Sequence, residues 1–172
     1  RDFFERVREV TPRMPVVVVK GGATSGGQRA AASHTGSLAS DDRVFDGMTR
    51  QAGMIRVVTI EAAFEAAATL ATQPLPDGGG VVVLTTAGGW GVVTADAVTT
   101  HRDLTLTTLP DDLLTAVDGM LPPRWSRNNP VDLAGGETRD TIPDLLDMVV
   151  GHPGVDSVVQ LGLGIQGNTA AL

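Results

Sequence analysis

The residues with the most chemistry to offer lie in one stretch, Lys20-Gly21-Gly22-Ala23-Thr24-Ser25-Gly26-Gly27-Gln28-Arg29-Ala30-Ala31-Ala32-Ser33-His34-Thr35-Gly36-Ser37. Glycines let successive backbone N–H groups converge on an anion. Lys20, the only lysine of the chain, stands where the stretch begins, and Ser25, Arg29, Ser33 and Thr35 add donors. No Gly-Lys-Ser/Thr follows the glycines, so this is not a Walker A loop. The competing view is a glycine-rich solvent loop. His34, flanked by Ser33, Thr35 and Gly36, is expected near the start of a helix. A helix start disfavours imidazolium and keeps the ring neutral and nucleophilic, and its N–H groups would stabilise a phosphate bonded to the ring. A lone histidine is otherwise most often a surface or core residue.

A second stretch, Thr85-Thr86-Ala87-Gly88-Gly89-Trp90-Gly91, follows an apolar run and opens a helical pattern. It is not G-x-G-x-x-G, and no acidic residue ends the next strand pattern, which speaks against a dinucleotide. Gly88, Gly89 and Gly91 are candidates for holding an anion at a helix start, with tight strand–helix packing as the alternative. His101 and His152 fall at expected helix ends and read as surface residues. Asp96 reads as solvated. Asp132, in Asn129-Pro130-Val131-Asp132, reads as a turn-capping carboxylate, with a functional role left open.

These stretches need strands and helices to position them. Phe3, Phe4, Val7 and Val10 recur at helical spacing, and Pro12 and Pro15 end that helix. Residues 16–19, four valines in a row, read as a buried strand of a parallel sheet, and 20–27 as a loop. Residues 38–53 look helical, with Leu38, Val44, Phe45 and Met48 facing inward. A short strand at 54–58 and an Ala-rich helix at 60–70 follow. Gln73-Pro74-Leu75-Pro76-Asp77-Gly78-Gly79-Gly80 is the clearest linker. Beyond it the pattern restarts: strand 81–85, a glycine-rich turn at 87–91, helix 92–100, strand 104–109, helix 111–121, strand 129–133, helix 140–150 and strand 155–164. Strand alternating with helix defines an α/β fold with doubly wound parallel sheets. The expected division is 1–73, the carboxy-terminal part of a flavodoxin-like domain; 74–80, a linker; and 81–172, a second flavodoxin-like domain.

Composition narrows the function classes. The 172 residues, 42% hydrophobic and 19% charged, are enough for a packed core and too apolar for a disordered tail. A net charge of −7, one lysine and six aromatic residues argue against a nucleic-acid partner. The absence of cysteine excludes disulfides, thiolate catalysis and zinc–cysteine sites, and no resident metal is expected. It fits a reducing compartment, and a cytoplasmic location is expected. No apolar run approaches the ~20 residues of a membrane span, so no membrane partner is expected either. The chain shows no leader pattern and opens on Arg1 in a helical pattern, which suggests a piece of a longer protein.

Four stretches, in order, resemble the NDP-forming acyl-CoA synthetase family, the relatives of succinyl-CoA synthetase, in its ADP-forming acetyl-CoA synthetase alpha-subunit layout. They are Pro15 to Gly22, Ala31 to Leu38 with Ser33-His34-Thr35-Gly36, Leu84 to Gly91, and Asn129 to Asp132. The resemblance implies succinyl-CoA synthetase/flavodoxin-like domains and a reversible acid–CoA ligase reaction. Acyl-CoA and phosphate give an acyl phosphate, the phosphoryl group moves to a histidine, and from there to ADP or GDP. The family's phosphorylated histidine falls on His34. Its N–P bond keeps the transfer potential that hydrolysis would waste, and backbone N–H groups neutralise the moving group. Two opposed helix starts of the family correspond to the 33–37 region and to Gly88, Gly89 and Gly91, with Lys20 as a weaker phosphate contact. Thr86 and Trp90 depart from the family's Thr-Asn-Ala-Gly-Gly-Pro-Gly, and the Trp90 ring is expected to narrow the phosphate site. CoA, ADP/ATP or GDP/GTP, phosphate and magnesium are implied for the full-length protein. So are an ATP-grasp domain or beta subunit as partner and an oligomeric assembly. The fragment alone is expected to be inactive. The alternative is a non-catalytic regulatory module fused to an acetyltransferase; a stand-alone flavodoxin-like binder is a third.

Overall fold

A computed structural model describes residues 2–35, 41–133 and 141–162, with the backbone alone at His34 and Thr35. The chain divides into two compact units, Arg1–Leu75 and Pro76–Leu172.

In the first unit, α1 (Asp2–Val10) leads to β1 (Val17–Val19), α2 (Ser25–Thr35), α3 (Asp42–Gln51), β2 (Ile55–Val57) and α4 (Ile60–Thr72). β1 and β2 pair in parallel, Val17 against Ile55 and Val19 against Val57. The buried strand expected at 16–19 is corrected: Val17 and Val18 are half-buried and Val19 is exposed. Two strands cannot cover both faces and both edges of a sheet. Val44, expected inside, is 59% exposed, and Thr49 takes the buried place on α3. Leu38 lies outside the described residues. The 20–27 loop is shorter than expected, because α2 begins at Ser25 and takes Gly26 and Gly27 into its first turn. Glycine lowers helix propensity by about 1 kcal/mol, which hides this helix start. The Ala30-Ala31-Ala32 run favours it.

In the second unit, β3 (Gly80–Thr85) is followed by α5 (Gly88–Thr100), β4 (Thr105–Leu106), α6 (Asp111–Asp118), β5 (Val131–Asp132), α7 (Thr141–Val150) and β6 (Ser157–Leu161). All pairings are parallel and converge on β3. β6 runs along it from Val81 to Thr85, while β4 meets its start and β5 its end. Side chains alternate across the strand. Val82 and Leu84 pack with Leu113, Val117, Leu145 and Val149 of α6 and α7, and Val81 and Val83 pack against Val98 of α5. The result is a helix–sheet–helix sandwich. Its ligand-prone end is the carboxyl end of β3, where Thr85 stands level with Asp132 and Leu161.

Candidate functional site

The loop after β1 is built on Thr24, whose Oγ1 accepts from the Gly27 N–H at 3.2 Å and caps α2. Gly22 takes a positive φ of 74°, the left-handed geometry that suits glycine. Lys20 does not point outward. Its Nζ donates at 3.4 Å to the carbonyls of Gly21 and Gly22 and to Asp42 Oδ1, and its side chain is 9% exposed. Ser33 Oγ donates to the Ala30 carbonyl at 2.7 Å, within its own helix.

His34 is in the last turn of α2, not at a helix start. Among the described residues the next helix is α3, which begins at Asp42 and is capped by Asp41, whose carboxylate accepts from Arg43 and Val44 N–H. The helix-start argument for His34 is therefore corrected, and with it the assignment of residues 33–35 to a helix start, while 36 and 37 lie outside the described residues. A helix end presents carbonyls, not N–H groups. Thr35 closes α2, and Gly36 lies outside the described residues.

At the second stretch the glycines open the helix itself, and α5 starts at Gly88 with no side-chain cap. Thr85 Oγ1 accepts from the Ala87 N–H and donates to the Ala87 carbonyl, closing the turn. The three glycines differ. A Cβ at Gly88 would lie 2.7 Å from Asp132 Oδ2, so the carboxylate that ends β5 stands at this helix start. Gly89 faces open space. Gly91 is buried, and a Cβ there would meet Thr85 Cγ2 at 3.0 Å and Pro130 Cβ at 3.2 Å. Packing is thus the role of Gly91. We expect Gly91→Ala to destabilise the second unit by about 1–3 kcal/mol through overpacking. Gly89→Ala should be neutral or slightly stabilising, by under about 1 kcal/mol. Urea unfolding of the two variants measures the difference, and equal effects would refute it. Trp90 is 53% exposed and lines a shallow apolar hollow with Val93, Thr94 and Leu161.

His101 is exposed at the C-cap of α5. His152 is not the plain surface residue expected. Its side chain is 16% exposed, Nε2 faces Asp112 at 3.3 Å, and Nδ1 accepts from the Gly154 N–H at 3.0 Å. The hydrogen bond to His152, then that from the Leu113 N–H, holds the Asp112 carboxyl below its ordinary value. Among the described residues no group of three or more His, Asp or Glu is placed to hold a metal, and no step is assigned to magnesium here. No helix among them is long and apolar enough to cross a membrane.

Sequence reasoning missed an ionic cluster at the start of α3. Arg56 on β2 donates to Asp42 Oδ1 at 2.6 Å and to Asp46 Oδ1 at 3.1 Å, and Arg50 pairs with Asp46 one turn away. Its only sequence signal was Asp42, Asp46 and Arg50 at four-residue spacing. The hydrogen bond from Arg56 chiefly lowers the Asp42 carboxyl, and that from Arg50 the Asp46 carboxyl. Carboxylates lowered by folding contribute stability above their unfolded value of about 3.9, and that stability is lost as pH falls through the folded value. Amide exchange in α3 and β2 should therefore accelerate as pH drops below about 4, once corrected for intrinsic exchange. Arg56→Met should flatten that dependence; an unchanged profile would refute the link.

Two α/β units with parallel strands, each with a glycine-bearing turn between strand and helix, define the class. Residues 1–70 match the succinyl-CoA ligase like flavodoxin domain and residues 81–165 the Ligase-CoA domain. The chain belongs to the NDP-forming acyl-CoA synthetase family. It is 34% identical over 167 residues to the ADP-forming 4-hydroxybutyrate–CoA ligase of Nitrosopumilus maritimus, matching 94% of this chain and 23% of that protein. It is 37% identical over 161 residues to the alpha subunit of ADP-forming acetate–CoA ligase I of Pyrococcus furiosus, matching 94% of this chain and 34% of that subunit. Among solved structures, it matches the dinucleotide-forming acetyl-coenzyme A synthetase 1 of Ca. Korarchaeum cryptofilum, determined with phosphate and ADP. That match has a TM-score of 0.88 at 30% identity and covers 98% of this chain and 38% of that one. The chain thus spans about a quarter to two-fifths of the length of these relatives.

Proposed function

We propose that the full-length protein is an NDP-forming acid–CoA ligase and that His34 carries its phosphoryl group. Acyl-CoA and phosphate exchange to acyl phosphate and free CoA. A ring nitrogen of His34 then takes the phosphoryl group, its N–P bond forming as the P–O bond to the acyl carboxylate breaks. The group passes on to ADP or GDP and the ring is freed. The observation that carries this reading is that ADP-forming acid–CoA ligases match 94% of the chain. It does not favour the acetyltransferase-fused regulator. In this reading Thr35 and Gly36 remain candidate contacts of the phosphoryl group by their place beside His34 in the sequence, while Gly88 and Gly89 offer N–H groups to an anion. Lys20 and Ser33 serve local bonds. CoA, the nucleotide and its magnesium are held outside this chain, the nucleotide by an ATP-grasp domain or beta subunit. The designation of the Pyrococcus relative as an alpha subunit supports such a partner.

The test uses the full-length protein with its nucleotide-binding part. Incubation with ATP and magnesium should place an acid-labile, base-stable phosphoryl group on His34. Turnover without any such group would overturn the mechanism.

A further inference from the structure

Lys20 and Asp42 lie 22 positions apart in the chain and bracket the stretch that contains α2 and His34. Their side chains nevertheless meet, with Lys20 Nζ 3.4 Å from Asp42 Oδ1. The Lys20 side chain is 9% exposed and its Nζ also donates to the Gly21 and Gly22 carbonyls, so it ties the first residues of the loop to the first residue of α3. From the other side Arg56 grips the same Asp42 carboxylate at 2.6 Å. The Phe45 ring completes the cluster, with Lys20 Nζ and the Arg56 guanidinium each 5.6 Å from its centre and Phe4 of α1 edge-on at 5.8 Å. A lysine side chain this covered is costly without an anion beside its charge, and Asp42 supplies one. Neither Lys20 nor Asp42 is therefore a free surface charge.

We propose that Lys20 and Asp42, backed by Arg56 and Phe45, form a clasp that closes the base of the His34-bearing stretch and so positions His34 for phosphoryl transfer. This rests on the reading of His34 as the phosphoryl carrier. Lys20 and Asp42 are positioning residues: they act through the backbone they tie down, not on the phosphoryl group. A misplacement of about 1 Å is enough to cost a transfer step on the order of a hundredfold, so a clasp far from the chemistry affects the rate without contacting a substrate.

The experiment follows two readouts in the full-length protein with its nucleotide-binding part: the rate of His34 phosphorylation from ATP, and amide exchange by mass spectrometry. Asp42→Asn keeps the side-chain shape, and Lys20→Met keeps the stem while removing the charge. Each should slow labelling by about tenfold or more in the maximal rate, with the KM for ATP unchanged, and should speed exchange across residues 21–35. The double variant should cost less than the two singles combined, since both break the Lys20–Asp42 contact they share. Lys20→Arg should recover most of the rate. Peptides from α4 and from the second unit should keep their protection. Unchanged labelling and exchange would overturn the clasp, as would loss of protection throughout the first unit, which would make the pair a general stabiliser. If wild-type protein never labels, the carrier reading of His34 falls, and exchange across residues 21–35 alone decides whether the clasp exists.

Discussion

Replacing His34 by alanine in the full-length protein should abolish both the phosphoryl label and acyl-CoA formation, with turnover falling by about ten-thousandfold or more, as when a covalent carrier is removed. The loss should appear at every substrate concentration, as expected of a proposed carrier rather than a binding group. Helix α2 should survive, because alanine is the better helix former, so the thermal unfolding midpoint separates a chemical from a structural effect. The other histidines offer no substitute. His152 is engaged with Asp112 and Gly154, and His101 sits exposed at a helix end. Label on either, or acyl-CoA made by the variant at a comparable rate, would refute the assignment. The position of His34 also shapes what else must be true. It ends a helix, where backbone carbonyls gather, and a phosphoryl group there gains nothing from the α2 dipole. The α2 backbone brings it no free N–H groups, and Lys20 is already engaged with Asp42. Mutation of Lys20 should therefore act on rate through position rather than through lost charge at the phosphate.

What could be read from the sequence followed from how local each signal was. β3 was plain because Val81 to Leu84 is apolar throughout and lies covered on both faces, which is what a central parallel strand requires. The valines of β1 looked the same in sequence, yet they lie in a two-stranded sheet and are only half covered. Strand character is local, whereas burial depends on what packs alongside. Helix α2 was hidden because Gly26 and Gly27 imitate a loop, and that single error moved His34 from a helix end to a helix start. The glycine-bearing turn after β3 was legible as a unit, but the division of labour among its glycines was not. Asp132 and Pro130, more than thirty positions away, decide it. The Lys20–Asp42 contact was equally beyond reach, since it spans 22 positions and nothing in the spacing predicts it.

Asn129 shows how far a non-local role can outweigh a local one, and its replacement should be among the most destabilising changes in the second unit. In sequence it opens a turn. In the structure it fills the gap on the edge of β3 where β4 has ended and β5 has not begun. Its Oδ1 accepts from the Val83 N–H at 2.9 Å, and its Nδ2 donates to the carbonyls of Val81 at 2.7 Å and Thr107 at 3.0 Å. The side chain thus replaces a missing strand residue, and it is 6% exposed. Alanine would leave the Val83 N–H without this partner in the core, and buried groups left unpaired cost about 1–3 kcal/mol each. Val81 keeps its bond from the Thr107 N–H, so the total for Asn129→Ala should be about 2–4 kcal/mol. Asn129→Asp should be worse at neutral pH, although it is closer in shape. It can still accept from Val83, but it turns two donors into a buried anion facing two carbonyls. Urea unfolding followed by the fluorescence of Trp125, 3% exposed in the same core, measures both variants. If the aspartate variant proved as stable as wild type, or the alanine variant lost under about 0.5 kcal/mol, the range of an ordinary surface change, Asn129 would not be bridging the strand.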